Sequence, residues 1–435
     1  MAHGPADRPH YDPIEPIREV DRLLVREWAL LFAAALAALP APLLRILAVT
    51  GAWDPHMPPG LEALIFGLGI FAAATLLTWA SEVAETEISA GLALVVLALI
   101  AVLPEYAVDL YFAWTAPDNP DHAHLAIANM TGGNRLLVGL AWPVIFFIFW
   151  RKFKKHVMPV ERSNALGILF LGAATVYSFS IPIRGHLSLI DTAIMFSLFA
   201  GYLYIASKSP PAHEREFVGP AAAIGALPRP SRRATVLAIF AYSAAVIFAA
   251  AEPFAESLVQ SGKSAGIDEF VLVQWVAPLA SESPEFILAG MLALRGRHDA
   301  GMTILISSKV NQWTLLIGSL PLAYAVSGGA ITPLDFDGRQ SEEVFLTAAQ
   351  SLFAVAILVS LSVSRWEALL LAAMFVTQFA FTDTSIRVGY AVVYCMVATI
   401  VLVRDIPFMR SFWSAARESW RGPRERPASG PAPPG

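Results

Sequence analysis

Apolar residues in this chain come in long unbroken runs separated by short polar punctuation, not at the 3.6-residue spacing of a half-buried soluble helix. Crossing a hydrocarbon core takes roughly 20 apolar residues as helix, and runs of about that length cover 26–49, 60–84, 88–114, 123–150, 163–183, 187–207, 234–260, 267–294, 299–327, 342–364, 366–383 and 386–404. The pattern predicts an all-α polytopic membrane protein of about 12 transmembrane helices. A β-barrel is disfavoured, because barrel strands of about 10 residues alternate apolar with polar positions. Composition agrees: the 435 residues are 56% hydrophobic and 15% charged, with mean hydropathy +0.58.

The loops orient the helices. If the N-terminal tail, residues 1–25 with Arg8, Arg18 and Arg22, is cytoplasmic, every second connection should be basic. The predicted inner segments read "RKFKKH" (151–156), 207–233 with its "RPSRR", "RGRH" (295–298) and the C-terminal "RESWRGPRERP". The predicted outer ones, "WDPHMPP", "APDNPDH", "LDFDGR" and "TDTS", are poor in Lys and Arg. Two short turns depart from the rule, the outer "RGH" at 184–186 and the acidic inner turn near 85–88. Both termini are expected in the cytoplasm of a prokaryotic cell. Residues 26–49 form an additional N-terminal helix, 208–233 a cytoplasmic linker, 386–404 an additional C-terminal helix, and 405–435 a disordered cytoplasmic tail.

The first apolar run is too long for a signal-peptide core. The single cysteine, Cys395, lies in an apolar run and offers no disulfide, zinc or redox motif. Neither an HExxH motif nor a GxxxxGK[ST] loop occurs. No cofactor, nucleic-acid partner or ATP coupling is expected; the partners are the lipid bilayer and cations, with oligomeric state left open.

An internal repeat is present. "SEVAETEISAGLALVVLALIAVLPEYAVDLYFAW" followed by "AIANMTGGNRLLVG" has its counterpart in "AEPFAESLVQSGKSAGIDEFVLVQWVAPLASESPEFILAGMLALRG" followed by "ISSKVNQWTLLIG". Each copy has an acidic lead-in, a Pro-Glu inside an apolar run, and then polar residues before "LLVG" or "LLIG". By the loop rule the two Pro-Glu helices run in opposite directions, so the copies at 60–207 and 234–383 are inverted. Each copy supplies five helices of a ten-helix core, an arrangement that places a central site where either side can reach it.

The chemistry sits in those helices. Glu105 and Glu285 fall inside their spans, where an unpaired charge costs several kcal/mol and marks a functional candidate. Pro104 and Pro284 lack an N–H, which releases the carbonyls of Ile100 and Ala280 as oxygen ligands. Asp109 and Glu282 share the faces of Glu105 and Glu285. Their like charges repel, which lets a proton compete with a hard cation such as Ca2+ or Na+. Ser281 and Ser283 flank the second pair, and the following helices add Asn129, Thr131 and Asn134 in one copy and Ser307, Ser308 and Asn311 in the other. Gly132 and Gly133 admit close helix approach. Arg135 and Lys309 are possible charge partners: each pairs with a site acid or makes a structural ion pair, and Lys309 could alternatively be a built-in competitor for the cation. Glu82, Glu85, Glu252 and Glu256 lie near span ends, as solvated helix termini or steps on an ion path. His122 and His124 are expected on the surface of an outer loop.

Through "ASESPE" (280–285) and its lead-in, the weaker "LPE" (103–105), and "ANMTGGN" (128–134), the chain resembles the calcium/cation antiporter superfamily, of which sodium/calcium exchangers are the best-known members. The resemblance spans roughly residues 60–383. It implies secondary active antiport by alternating access, with transported ions Ca2+, Na+ and/or H+. It also implies that the essential carboxylates are Glu105 and Glu285, aided by Asn129, Asn134 and Ser308 or Asn311. Ala101, Val102, Glu282 and Lys309 depart from the family pattern. Sodium/calcium exchange and Na+/H+ or other proton-coupled exchange therefore both stay open, and a cation channel or an intramembrane enzyme is the rival of another class.

Overall fold

The computed structural model describes residues 15–52, 57–84, 103–208, 217, 219–380 and 383–421. Among these the chain is a bundle of helices: α1 (Glu15–Ala38), α2 (Pro40–Val49), α3 (Pro59–Ala84), α4 (Leu103–Thr115), α5 (Pro120–Phe153), α6 (Arg162–Arg184), α7 (Leu189–Ala206), α8 (Pro220–Gly225), α9 (Arg229–Ala265), α10 (Glu269–Leu294), α11 (His298–Asn311), α12 (Ile317–Gly328), α13 (Gly338–Leu358), α14 (Arg365–Thr377), α15 (Thr384–Arg404) and α16 (Ile406–Arg421). Eight helical stretches among the described residues are long and apolar enough to cross a membrane unaided. The expected spans missing from that set are the two Pro-Glu helices, the 298–328 stretch and the 365–380 stretch. In the 298–328 stretch, Ser307, Ser308, Lys309, Asn311 and Gln312 lower the hydropathy. Of the first Pro-Glu span, residues 85–102 lie outside the described residues, and with them Glu85 and the carbonyl of Ile100.

Helix packing follows the two halves of the sequence. The first helices of each half, α3 and α9, pack along one another, while α4, α5, α10 and α11–α12 pack around a common centre. Corresponding helices carry the same irregularity: α5 contains a π turn at Leu137–Ala141, and α11 runs into α12 through a π turn at Gln312–Leu316. Single π turns inside helices concentrate at functional sites, and here they coincide with the "LLVG" and "LLIG" signatures. Pro253, Pro278 and Pro284 all lie inside helices, and each lacks the donor for one backbone hydrogen bond.

Contacts at the helix ends sort the loops onto two faces. Strand β1 (Val157–Pro159) pairs antiparallel with Ser362–Ser364, and His186–Leu187 pairs antiparallel with Leu334–Asp335. Lys152 Nζ donates to the Leu294 carbonyl at 2.6 Å, and Arg339 Nη1 reaches Asp268 Oδ2 at 2.7 Å. Each contact joins two loops that the alternation of basic and non-basic connections assigns to the same face.

Three expectations need correction. The C-terminal tail was expected to lack structure, yet α16 is a regular amphipathic helix: Phe412, Ala415 and Ala416 are buried at helical spacing against α6, and Arg162 pairs with Glu418 at 3.3 Å. Residues 422–435 lie outside the described residues. The 208–233 linker contains α8, whose Ala221 and Ile224 pack with Leu31, Leu76 and Val83, and α9 begins within it at Arg229. Helix α1 starts at Glu15, inside the stretch expected as an N-terminal tail.

Two packing features hold the centre together. A Cβ on Gly132 would stand 1.7 Å from the Gln274 carbonyl oxygen, so the α5 and α10 backbones cross where only glycine fits. One turn on, Arg135 is fully buried and joins α5 to α13: its Nη2 meets Glu343 Oε2 at 2.5 Å, and its guanidinium lies 5.0 Å from the Trp275 ring centroid. Arg387 of α15 completes the group, reaching Glu343 Oε1 at 2.6 Å and Glu342 Oε1 at 2.5 Å. Two arginines and two glutamates make a set that is neutral within itself.

Gly132→Val should therefore destabilise the purified protein by about 1–3 kcal/mol or more, because the atom it meets is backbone and cannot rotate away. Arg135→Gln leaves Glu343 under-neutralised in a dry interior and should cost about 3–5 kcal/mol, with the Arg135→Gln/Glu343→Gln double variant less impaired than the single one. Thermal unfolding in detergent measures both.

Candidate cation site

Four carboxyl groups meet where α4 and α10 approach. Pro104 and Glu105 fall in the first turn of α4 and Asp109 follows one turn later; Glu282 and Glu285 lie one turn apart in the middle of α10. All four are buried, none more than 9% exposed. Glu105 lies within electrostatic reach of Glu282, Glu285 and Asp109 together. The acid pairs of the two sequence copies thus share one buried volume, which needs compensating positive charge.

The neighbouring helices turn amides toward the acids. Gln312, at the start of the second π turn, faces both Glu105 and Glu282, and Asn129 faces Asp109. Glu105 Oε2, Asp109 Oδ1, Glu282 Oε2, Asn129 Oδ1 and the Gln312 amide atoms are buried without a hydrogen-bonding partner. Buried polar atoms are normally satisfied. This group of them in one place, nearly all oxygens, is a donor set for a hard cation and not for a soft one. No three Asp, Glu, His or Cys side chains close into metal-ligand geometry among the described residues; the convergent set mixes carboxylates with amides. A Cβ on Gly133 would stand 2.1 Å from Glu282 Oε1, so the missing side chain makes room for this carboxylate.

The other expected ligands divide. Ser308 Oγ donates to Glu285 Oε2 at 2.6 Å, and Asn311 Oδ1 accepts from the Tyr106 hydroxyl at 3.1 Å, which bridges α4 to α11 beside Glu105. Asn134 Oδ1 accepts from Lys309 Nζ at 2.7 Å. Ser281 lies one turn before Glu285 on the same face of α10, whereas Ser283 is on the other side of the helix. Ser281 Oγ donates to the Ala277 carbonyl at 3.3 Å, and Ser283, about 160° round the helix from Glu285, donates to the Leu279 carbonyl. Ser307 faces the Tyr202 hydroxyl at 3.1 Å, and Thr131 Oγ1 donates to Ile127 at 2.7 Å while accepting from Gln274 Nε2 at 3.4 Å. A hydroxyl that satisfies itself on its own helix is the default in an apolar span, and sequence spacing does not reveal which way it turns.

Arg135 pairs with Glu343 and not with a site acid. His122 is not the surface residue expected: it is buried edge-on against Phe112, with Nδ1 2.6 Å from Thr115 Oγ1 and Nε2 3.6 Å from Glu256 Oε1. The turn at 116–119 folds the start of α5 back over α4 and covers it. His124 is on the surface, 3.3 Å from Asp337. Glu252 pairs with Arg45, and Glu256 accepts from the Tyr111 hydroxyl at 2.6 Å. Sequence reasoning missed Gln312, although a second amide beside Asn311 just before "LLIG" was the signal that could have found it.

The comparisons agree with this architecture. The family described as sodium/calcium exchanger protein matches residues 59–208 and 235–382, one block for each half of the chain. A solved structure described as the H+/Ca2+ exchanger CAX is 40% identical, with 91% of this chain and 99% of that one covered and a TM-score of 0.85. The structure of native YfkE shares the fold at 15% identity, covering 83% of this chain and 99% of that one, with a TM-score of 0.59. No curated protein matches the chain. The fold of apolar helices is thus shared with transporters and not with enzymes; the chain belongs to the sodium/calcium exchanger family of the calcium/cation antiporter superfamily, as a membrane cation exchanger.

Proposed function

We propose that the protein exchanges Ca2+ for H+ by alternating access, with Glu105 and Glu285 as the principal ligands and Asp109 and Glu282 as additional charge and proton carriers. The observation that carries the reading is the character of the donor set. Carboxylates dominate it: Glu105, Asp109 and Glu282 each carry a buried oxygen without a partner, against the two amides of Asn129 and Gln312. A sodium ion is held largely by neutral oxygens, whereas a proton requires only a carboxylate. Forty per cent identity to a chain described as an H+/Ca2+ exchanger supports the same assignment.

Four carboxyls that compete for protons and for a divalent cation give antiport directly. Ca2+ binding releases protons from the cluster, and Ca2+ departure to the opposite side allows protons to return. Alternating access then requires that the cluster open to one face at a time, and the two halves of the chain, as inverted repeats, supply two equivalent ways of opening. On this reading the basic loops and both termini face the cytoplasm.

In proteoliposomes with an acidic interior, Ca2+ should accumulate while the lumen becomes more alkaline, and a protonophore should abolish the uptake. A Na+ gradient alone should drive none; Na+-driven uptake without proton movement would overturn the assignment. Apparent Ca2+ affinity should fall as pH falls, because protons then occupy the same carboxylates. Glu105→Gln and Glu285→Gln should each weaken Ca2+ binding at least about tenfold, equivalent to roughly 1.4 kcal/mol; unchanged transport in both would remove these residues from the site.

A further inference from the structure

Two basic side chains are fully buried beside the acid cluster, and they are held in opposite ways. Arg135 is neutralised by Glu343. Lys309 is held by neutral groups: Nζ donates to Asn134 Oδ1 at 2.7 Å and to the Asn134 backbone carbonyl at 3.3 Å, and it lies 4.4 Å from the Trp313 ring centroid. The charged groups whose fields it feels are Glu282 and Arg135.

Two amide oxygens, an aromatic face and a carboxylate within electrostatic reach form the environment that a free monovalent cation would be given. An ammonium there stands within reach of Glu282, the one site acid whose field it feels, and supplies a positive charge that a mobile cation would otherwise bring. It also occupies the side-chain oxygen of Asn134. That oxygen comes from the "TGGN" segment, in the same helix as Asn129.

We propose that Lys309 is a tethered cation that determines ion specificity: its ammonium occupies, on Asn134, the neutral-oxygen position a sodium ion would need, and so keeps Na+ out of the exchange cycle. The inference rests on the proton-coupled reading above and explains how a chain of this family would discard sodium without losing calcium. Specificity of this kind is exclusion of the wrong ion, not better contacts to the right one.

The test compares wild type with Lys309→Ser, which replaces the charge with a neutral oxygen, Lys309→Met, which keeps the length and the apolar contact with Trp313, and Lys309→Arg, which keeps the charge. Two readouts are taken: competition of NaCl against choline chloride for Ca2+ binding to purified protein, and Ca2+ uptake into proteoliposomes driven by a Na+ gradient. In wild type and Lys309→Arg, Na+ should leave Ca2+ binding unchanged. In Lys309→Ser, Na+ should weaken apparent Ca2+ binding by about tenfold and a Na+ gradient should begin to drive uptake, with Lys309→Met showing a smaller effect in the same direction. Should Lys309→Ser unfold, the Met variant carries the comparison. Folded variants that keep proton-driven Ca2+ uptake with no response to Na+ overturn the role of Lys309 and leave proton coupling standing. Loss of all Ca2+ binding in Ser and Met but not in Arg also overturns it, because the ammonium would then be holding the site together instead of excluding sodium. Na+-driven uptake by wild type overturns the proton-coupled reading and this inference with it.

Discussion

A carboxylate in a low-dielectric interior is stable only beside a compensating positive charge or with a proton of its own, and this chain gathers Glu105, Asp109, Glu282 and Glu285 into one such volume. Most of the surrounding architecture follows from holding them there. Glycines at 132 and 133 bring α5 against α10 and leave space for Glu282, while the second π turn begins at Gln312, an amide that faces the acids. The other buried charges are balanced separately. Arg135, Arg387, Glu342 and Glu343 neutralise one another between α5, α13 and α15, so their arginines do not satisfy the central acids. Lys309 acts on Glu282, and the remaining demand for positive charge is what the proposed exchange of cations and protons would meet.

That separation distinguishes scaffold from site. Buried pairs that close on themselves fix the geometry, and removing one partner is expected to damage folding. A buried acid cluster with unpartnered oxygens is expected to govern ion binding instead. Chemically similar residues therefore have different consequences: Glu343 belongs to the first class and Glu282 to the second, although both are glutamates buried in apolar helices.

Much of this was legible in the residues alone. Long apolar runs identified a membrane bundle because hydrocarbon forbids unsatisfied backbone. The paired "LPE" and "SPE" segments located the acids because a charge at that depth requires a reason. Side-chain direction was not legible. Ser283 looks like a ligand by position, yet it lies across the helix from Glu285 and donates to the Leu279 carbonyl, and Lys309 chose an amide where a carboxylate was nearby. His122 and α16 were misread for a related reason: local polarity suggested solvent, while tertiary packing against Phe112 and against α6 covered them. Gln312 escaped notice because amides in an apolar span serve equally as packing contacts between helices.

If one buried acid cluster takes protons and the metal cation in competition, binding the metal must expel protons. Calorimetric titration of purified protein with Ca2+, repeated in buffers of different ionisation enthalpy, measures this directly as the number of protons released per ion bound. The account predicts net proton release in wild type, reduced in Glu282→Gln and lost with binding in Glu285→Gln. Ca2+ binding with no proton release at any pH where the cluster can titrate would contradict it.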